Sequence, residues 1–336
     1  MNREYRVAIM GATGVVGATM MLLLQERNFP VASLKLLSSH RSAGNILEFG
    51  EEPIVVEELT HQSFEDIDLV LASAGGSVSK EFLPTAVEKG CLVIDNTSAF
   101  RMDPGVPLVI PEVNMQAALR HKGLIANPNC STIQMLVALK PIYDKVGLKR
   151  IVVSTYQSVS GKGGSAVDEL IDQTISALEG HEIKLDKFPH QMAFNVAFDW
   201  PFLDSGDSEE EIKMINETHK ILENDSIGVS ATTVRVPVLY AHSESINIET
   251  EDKITVDQAR QVLSEAPGVV LNDDPSEREY PLAVGAAGTD HVYVGRIRED
   301  KSVENGLNLW VVADNLRKGA ALNTIQIAEV LNQSQV

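Results

Sequence analysis

The stretch that decides the fold is RVAIMGATGVVG at residues 6–17, which an apolar run continues to Leu24. Residues 6–10 are typical of a buried strand, and the run after the glycines is typical of a helix. A strand, a glycine turn and a helix form a phosphate cradle, because glycines let the backbone approach a pyrophosphate at the helix N-terminus. The spacing is GxxGxxG rather than the commoner GxGxxG, and a structural turn is the alternative. The position after the first strand favours a dinucleotide.

The second predicted strand, at residues 33–37, is followed by SSHRSAG at residues 38–44. An NAD site usually has Asp or Glu at the end of this strand, where the carboxylate binds the ribose 2′-hydroxyl. No acid stands there, and Arg41 lies among hydroxyl side chains that suit a 2′-phosphate. The loop therefore favours NADP, with an ordinary basic surface loop as the alternative.

A second informative stretch is NPNCST at residues 127–132, which places Cys130 in the first turn of a predicted helix. Asn129 is a good N-cap, and Pro128 disfavours an earlier start. The unpaired N–H groups and the positive end of the helix dipole then favour thiolate, the nucleophilic form of cysteine. A buried cysteine that only packs is the alternative, and packing is the interpretation that we adopt for Cys91.

Strand and helix patterns alternate up to about residue 127, which predicts a parallel sheet with ligands beyond the carboxyl ends of its strands. After the Cys130 helix the chain turns to longer β-branched strands, which indicate a mostly antiparallel sheet covered on one face. The predicted strands of this sheet are at residues 149–158, 230–239, 243–251, 291–298 and 307–313. We predict an α/β protein with a Rossmann-like N-terminal domain and an α+β second domain.

Composition excludes several classes of protein. The chain has 336 residues, 44% of them hydrophobic, and a formal net charge of −19, which argues against a nucleic-acid partner. No apolar run approaches the roughly 20 residues of a membrane span, and the polar start is not a signal peptide, so we expect a cytoplasmic protein. Two cysteines form no disulfide framework, and no residues have the spacing of a metal site.

Seven motifs, in order over nearly the whole chain, resemble the aspartate-semialdehyde dehydrogenase family. They are GATGVVG at 11–17, SAGG at 73–76, NTSAFR at 96–101, NPNCST at 127–132, QSVSG at 157–161, RVPV at 235–238 with His242, and DNLRKGAA at 314–321. The sequence AHSES at 241–245 resembles the Gram-positive-like branch. The resemblance implies reversible reduction of aspartyl phosphate by NADPH to aspartate semialdehyde and phosphate, a step toward lysine, threonine, methionine and diaminopimelate.

The resemblance also implies roles for individual residues. Cys130 becomes the nucleophile, His242 the acid and base, and Gln157 the residue that orients the thioester. The implied substrate-binding residues are Arg101 and Lys213 for phosphate, Arg235 for the carboxylate and Glu210 for the ammonium. The implied cofactor-binding residues are Gly11, Thr13, Gly14, Val15, Val16, Ser39, Arg41, Ser42, Ser73, Gly75, Gly76, Ser160, Gly161 and Asn315.

Domain functions follow in the same way. The resemblance implies an NADP-binding domain at residues 1–128, joined by a C-terminal helix at 316–336, and a catalytic and dimerisation domain at residues 129–315. It further implies a homodimer formed through the sheet of the second domain, with a tetramer as the alternative. Two segments depart from the family pattern: GKGG at 161–164 and FDWPF at 198–202.

The residues support these roles, with alternatives. Glu210 and Lys213 are three apart on a helix that Ser208 and Glu211 are placed to open as a capping box, so they share a face. A weak surface salt bridge is the alternative. Arg235 alternates with apolar neighbours along its strand and either binds substrate or covers a surface.

Three other functions remain open. N-acetylglutamyl-phosphate reductase has the same chemistry, but its substrate lacks the ammonium that Glu210 would bind. Malonyl-CoA reductase needs no compact phosphate site at Arg101 and Lys213. A non-catalytic NADP-binding paralogue has no reason to retain Cys130, Gln157 and His242 together.

Overall fold

The computed structural model describes residues 4–334, with the side chains of residues 4–333. These residues divide into two compact units. The first unit contains the residues up to Asn129 and those from Ala320 onward, and the second unit is Cys130–Gly319. Among residues 4–334, no helix combines the length and the apolar character needed to cross a membrane.

The first unit is built on a seven-stranded sheet in the order β3-β4-β2-β1-β5-β6-β7. All neighbouring strands are parallel except β3 and β4, which form an antiparallel edge pair that the sequence did not predict. The parallel core of the prediction is confirmed. The strands are β1 Tyr5–Met10, β2 Val31–Ser38, β3 Ile46–Phe49, β4 Glu52–Glu58, β5 Leu69–Ala72, β6 Leu92–Asp95 and β7 Leu124–Ala126.

Helices cover this sheet, and they begin with α1 Val15–Glu26, α2 Gly76–Glu88 and α3 Pro111–Asn114. Successive residues of β1 are buried on opposite faces of the sheet: Val7 and Ile9 on one, Ala8 and Met10 on the other. Since both faces are buried, β1 from Val7 to Met10 and the whole of β5 are apolar without interruption, as in other parallel sheets.

The second unit contains a six-stranded sheet in the order β11-β12-β13-β10-β8-β9. The three central pairings are antiparallel and the two edge pairings, β11 with β12 and β8 with β9, are parallel. The predicted mostly antiparallel sheet is confirmed. The strands are β8 Leu148–Gln157, β9 Gly228–Arg235, β10 His242–Thr250, β11 Val269–Leu271, β12 Val292–Asp300 and β13 Gly306–Ala313.

One predicted strand is too long. We predicted residues 230–239, but β9 ends at Arg235. Pro237 has no N–H group to continue the ladder, and Val238 donates its N–H back to the Val236 carbonyl at 2.8 Å. Arg235 therefore stands at the end of a strand rather than in its middle.

The helices of the second unit are α4 Cys130–Val146, α5 Gly164–Glu179, α6 Glu209–Leu222, α7 Val256–Ser264 and α8 Ala283–Ala286. Helix α4 begins at Cys130, directly after Asn129, as predicted. Helix α6 has the predicted capping box: Ser208 Oγ accepts the Glu211 N–H at 3.3 Å, and the Ser208 N–H donates to Glu211 Oε2 at 2.7 Å.

The chain returns to the first unit through α9 Leu322–Ser334. We predicted a helix from residue 316, but a wider π turn occupies Arg317–Ala321 first. Asp314 Oδ1 accepts the N–H groups of Leu316 and Arg317 at 2.8 and 2.9 Å, which delays the α-helical ladder. Residues 335–336 of the predicted helix lie outside the described residues.

Candidate active site

The glycine loop of the first unit is shaped by close backbone contacts. Gly11 has a φ of 87°, and a Cβ there would lie 2.5 Å from the Ser73 carbonyl oxygen. A Cβ on Gly17 would collide with the Gly11 carbonyl. Helix α1 begins at Val15, so the loop presents the first-turn N–H groups that bind phosphate in such folds. The residues present therefore fit a dinucleotide.

The loop after β2 contains the residues predicted to choose the dinucleotide. Thr13 Oγ1 and the hydroxyl of Ser38 lie 2.8 Å apart, and Arg41 is exposed with no ion-pair partner among residues 4–334. His40 Nδ1 lies 3.2 Å from a carboxylate oxygen of Glu58. Sequence reasoning missed Glu58. This residue ends strand β4 and pairs with Ser38 of β2, although Ser38 lies 20 residues earlier in the chain.

Two further predicted segments lie at the carboxyl ends of β5 and β6. Gly75 has a φ of 95° and precedes helix α2, with Ser73 on the turn from β5. Arg101 is buried and donates from Nη2 to the Asn96 carbonyl at 2.8 Å. The structure thus places Arg101, one of the two predicted phosphate ligands, in the first unit.

Cys130 and Cys91 lie in different environments. Cys130 is the first residue of α4 and is partly exposed, and a Cβ on Gly319 would lie 2.8 Å from its Cβ. Glycine at 319 therefore leaves room for the Cys130 side chain. Cys91 is buried, its thiol donates to the Ile67 carbonyl at 3.2 Å, and burial raises its pKa. Only Cys130 has the exposure that a nucleophile needs.

His242 begins strand β10 and is fully buried. Its Nδ1 accepts the Ser158 backbone N–H at 3.0 Å, so the neutral ring carries its proton on Nε2. Nε2 is buried without a hydrogen-bond partner in the described residues. Burial, and then the positive charge of Arg235, hold the pKa of His242 well below its ordinary value. The resting imidazole is therefore neutral and has one N–H available to a substrate oxygen.

Gln157, Glu210 and Lys213 form a polar cluster at the end of β8. Gln157 Nε2 donates to Glu210 Oε1 at 3.3 Å, and Lys213 Nζ lies 3.3 Å from Glu210 Oε2. Glu210 and Gln157 are buried, whereas the Lys213 side chain is 30% exposed. The Lys213 ammonium and the Gln157 amide therefore flank the two oxygens of one buried carboxylate.

Arg235, at the end of β9, has a side chain only 5% exposed. Its Nε lies 3.2 Å from Asp199 Oδ2, its Nη1 donates to the Ser158 carbonyl at 2.8 Å, and its guanidinium lies over the Trp200 ring at 4.5 Å. A Cβ on Gly161 would lie 3.3 Å from Arg235 Nη1 and 3.4 Å from His242 Nε2. The guanidinium and the imidazole therefore face the same small residue.

Asn315 connects this region to two predicted cofactor residues. Its Oδ1 accepts the Ala241 N–H at 3.0 Å and the Ser158 hydroxyl at 3.0 Å. Its Nδ2 donates to Ser160 Oγ at 3.0 Å, with Gly161 next in the chain. Asn315, Ser160 and Gly161 therefore lie in the second unit, whereas the other predicted cofactor residues lie in the first.

Within the second unit, the sheet brings the predicted residues together at one edge. Gln157 pairs with Arg235 in the parallel register of β8 and β9, and β10 starts beside the end of β8. Sequence reasoning missed Asp199, Trp200 and Ser158 as partners of these residues. The one sequence signal for the first two was that residues 198–202 depart from the family pattern.

Comparisons with known proteins identify the family. The profile of the semialdehyde dehydrogenase NAD binding domain matches residues 6–121, and that of the semialdehyde dehydrogenase dimerisation domain matches residues 139–318. The aspartate-semialdehyde dehydrogenase of Aquifex aeolicus (strain VF5) is 56% identical over 332 residues, 97% of this chain and 98% of that protein.

Solved structures show the same similarity. Aspartate semialdehyde dehydrogenase II from Vibrio cholerae, complexed with ASA, has a TM-score of 0.96 at 48% identity and covers 98% of this chain and 99% of its own. The Candida albicans aspartate semialdehyde dehydrogenase with NADP has a TM-score of 0.77 at 27% identity and covers 98% of each chain. These matches establish that the chain belongs to the aspartate-semialdehyde dehydrogenase family.

Proposed function

We propose that the protein reduces L-aspartyl 4-phosphate to L-aspartate 4-semialdehyde and phosphate with NADPH, reversibly and through a thioester on Cys130. The observation that carries this proposal is the polar edge of the second unit. There, His242 Nε2, the Arg235 guanidinium and the Glu210–Lys213 pair stand at adjoining strand and helix ends.

Cys130 starts the reaction. At the N-terminus of α4 the positive end of the helix dipole favours thiolate, which attacks the acyl carbon of aspartyl phosphate. The carbon–oxygen bond to phosphate then breaks, phosphate leaves with the electron pair, and a thioester remains. Gln157 orients this thioester through its amide, which donates to Glu210 in the structure described here.

Reduction needs a hydrogen-bond donor at the thioester oxygen. The nicotinamide cofactor supplies a hydride to the acyl carbon when it is bound. The negative charge that develops on the thioester oxygen is stabilised by the His242 Nε2–H group, which the Ser158 N–H on Nδ1 keeps in the required tautomer. When the carbon–sulfur bond breaks, the carbonyl group re-forms, the aldehyde is released and Cys130 leaves as thiolate.

Substrate recognition follows from the charges. Arg235 presents a planar fork to the α-carboxylate, Glu210 accepts hydrogen bonds from the ammonium, and Lys213 and Arg101 bind phosphate. An N-acetylated substrate has no ammonium to donate to Glu210 and so lacks one of the proposed contacts. This disfavours N-acetylglutamyl phosphate as the substrate.

A direct comparison of substrates tests the proposed function. We expect oxidation of aspartate semialdehyde that requires phosphate and NADP, with far slower turnover of N-acetylglutamate semialdehyde and of malonyl-CoA in the reductive direction. The absorbance of the reduced nicotinamide follows the reaction. Preference for either other substrate, or cofactor binding without any turnover, would contradict the proposal.

NADP is the proposed cofactor because Arg41 is exposed next to Ser42 and close in sequence to Ser39, and the loop that follows β2 contains no acidic residue of its own. Arg41→Ala should weaken NADPH binding by roughly 1.5–3 kcal/mol, about 10- to 150-fold, and leave NADH binding nearly unchanged. Dissociation constants for both cofactors, with Lys122→Ala as a control for loss of an exposed charge, measure this. Equal losses for the two cofactors would place the 2′-phosphate elsewhere.

We also propose a homodimer formed by the second unit, with a tetramer as the alternative. Large apolar side chains are exposed there, among them Leu178 at 74%, Phe194 at 67% and Phe202 at 61%. Apolar surface of this kind is usually covered by a second chain. Sedimentation equilibrium should give twice the chain mass of 36.6 kDa. A monomer at micromolar concentration would contradict the assignment.

A further inference from the structure

We propose that Asp199 is a positioning residue that holds the Arg235 guanidinium by its Nε edge, so that the Nη groups face the substrate carboxylate. This inference rests on the proposed function, because it assumes that Arg235 binds the α-carboxylate of aspartate semialdehyde.

The Asp199 carboxylate is shared by two cations. Its side chain is 2% exposed, Oδ2 lies 3.2 Å from Arg235 Nε, and Oδ1 lies 2.6 Å from Lys162 Nζ. A buried carboxylate with two positive partners is far from an ordinary surface salt bridge, because water screens it little. Asp199 therefore fixes where the positive charge of Arg235 lies.

The backbone holds Asp199 in place. Ala197 and Arg235 form a β-bridge, in which the Arg235 N–H donates to the Ala197 carbonyl at 2.8 Å and the Ala197 N–H donates back at 3.0 Å. The segment that carries Asp199 and Trp200 is thus anchored to the backbone of Arg235 itself. This bridge lies two residues before Asp199 and limits how far its carboxylate can move from the guanidinium.

The guanidinium is fixed from three directions. Asp199 accepts from Nε, the Ser158 carbonyl accepts from Nη1, and the Trp200 ring covers one face at 4.5 Å. Nη2 has no hydrogen-bond partner within residues 4–334. An incoming carboxylate therefore meets an arginine whose orientation is already set, which reduces the entropy lost on binding.

Asp199 does not occupy the N–H groups of Arg235 that would bind the substrate carboxylate. Its contact is with Nε, whereas a carboxylate on the Nη side would use different N–H groups. Asp199 and the substrate are therefore compatible on one guanidinium. This separates a positioning role from an inhibitory one, in which the substrate would have to displace Asp199.

Asp199→Asn tests the inference, because the amide keeps the shape of the side chain and removes its charge. We expect the KM for aspartate semialdehyde to rise about 10- to 100-fold, while the KM values for phosphate and NADP stay within twofold. Asp204→Asn is the matched control, since Asp204 is an exposed carboxylate of the same segment. A general loss of folded protein would instead lower the apparent kcat and leave the three KM values unchanged.

A double-mutant cycle identifies the residue through which Asp199 acts. If it acts through Arg235, the Asp199→Asn change should add less than twofold to the loss already caused by Arg235→Lys. Lys162→Met should have less effect than Asp199→Asn. Full additivity in the cycle, or a Lys162→Met variant that reproduces Asp199→Asn, would overturn the proposal.

Two further measurements keep the outcomes separate. Asp199→Glu retains the charge but lengthens the side chain, so it should raise the same KM by a smaller factor and remains informative if Asp199→Asn does not fold. Failure of the wild type to oxidise aspartate semialdehyde contradicts the proposed function itself. An active wild type with an unchanged KM in both Asp199 variants contradicts only the role of Asp199.

Discussion

The candidate sites of the two units are built from different parts of the chain. In the first unit the backbone forms the site: Gly11 and Gly17 permit contacts that a Cβ would prevent, and helix N–H groups face outward. In the second unit side chains form the site, because Arg235 and His242 are held by Asp199 and Ser158. A backbone site depends on shape over a few residues, whereas a side-chain site depends on charges from distant residues.

Removal of the nucleophile should have the largest effect on turnover, and it separates the side-chain site from the backbone site. Cys130→Ala should lower turnover at least about 10⁴-fold, because no thioester forms, while NADPH binding to the first unit continues. Steady-state kinetics and a separate measurement of cofactor binding check this. Cys91→Ala, which removes a buried thiol away from the proposed chemistry, should leave the rate nearly intact. Substantial turnover by the Cys130 variant would exclude the covalent mechanism.

Arg235→Lys is expected to have the next largest effect. Lysine keeps the charge but loses the planar fork, the Nε contact with Asp199 and the stacking on Trp200. We expect kcat/KM for aspartate semialdehyde to fall about 100-fold, with NADP binding unchanged. Lys213→Arg is the matched comparison: it should be milder and appear mainly in the KM for phosphate, since Lys213 acts as a point charge. A kinetically silent Arg235→Lys would remove Arg235 from the carboxylate site.

Gly17→Ala tests the backbone site of the first unit. The added Cβ collides with the Gly11 carbonyl, so the loop must shift, and we expect NADPH affinity to fall at least about tenfold. Turnover extrapolated to saturating NADPH should change less than the affinity does. Gly105→Ala is the control, because a Cβ there meets nothing within 4 Å and the position is exposed. Equal affinities in the two variants would show that the glycine contacts do not shape the cradle.

The sequence predicted local features well and distant contacts poorly, for a physical reason. Cys130 at the start of α4 follows from Pro128 and the apolar run after it, all within a few residues. The contact between Asp199 and Arg235 joins residues 36 apart, and that between Ser158 and His242 joins residues 84 apart. Such pairs depend on strand order, which a periodic pattern does not specify. Glu58 beside His40 was missed for the same reason.

Substitution of Glu244 should have the smallest effect, and that effect is on the stability of the second unit rather than on catalysis. It lies two residues after His242 on β10, is fully buried, and neither carboxyl oxygen has a hydrogen-bond partner within the described residues. Burial raises its pKa well above the ordinary value. The Glu210 carboxylate, by contrast, has Lys213 and Gln157 beside it.

The sign of the pH effect follows from linkage. Below the pKa of the unfolded chain, Glu244 is protonated in both states and its contribution to stability is fully present. As the pH rises, the unfolded chain loses this proton first, so the free energy of unfolding falls by at most about 1.4 kcal/mol per pH unit, until the folded pKa is reached. Glu244→Gln removes this titration, so the variant should gain stability relative to the wild type between pH 5 and pH 8.

Urea unfolding at several pH values measures this difference. Glu249→Gln is the matched control: it lies on the same strand, its side chain is 32% exposed, and Lys149 lies 3.9 Å away, so its charge is already hydrated. The Glu249 variant should follow the wild type across the same pH range. If the stability difference between Glu244→Gln and the wild type does not grow with pH, the carboxyl is already ionised in the folded protein. In that case a cation or ordered water must contact the carboxylate. The face of β10 beneath α4 would then stabilise a buried charge, as the edge that carries Arg235 does.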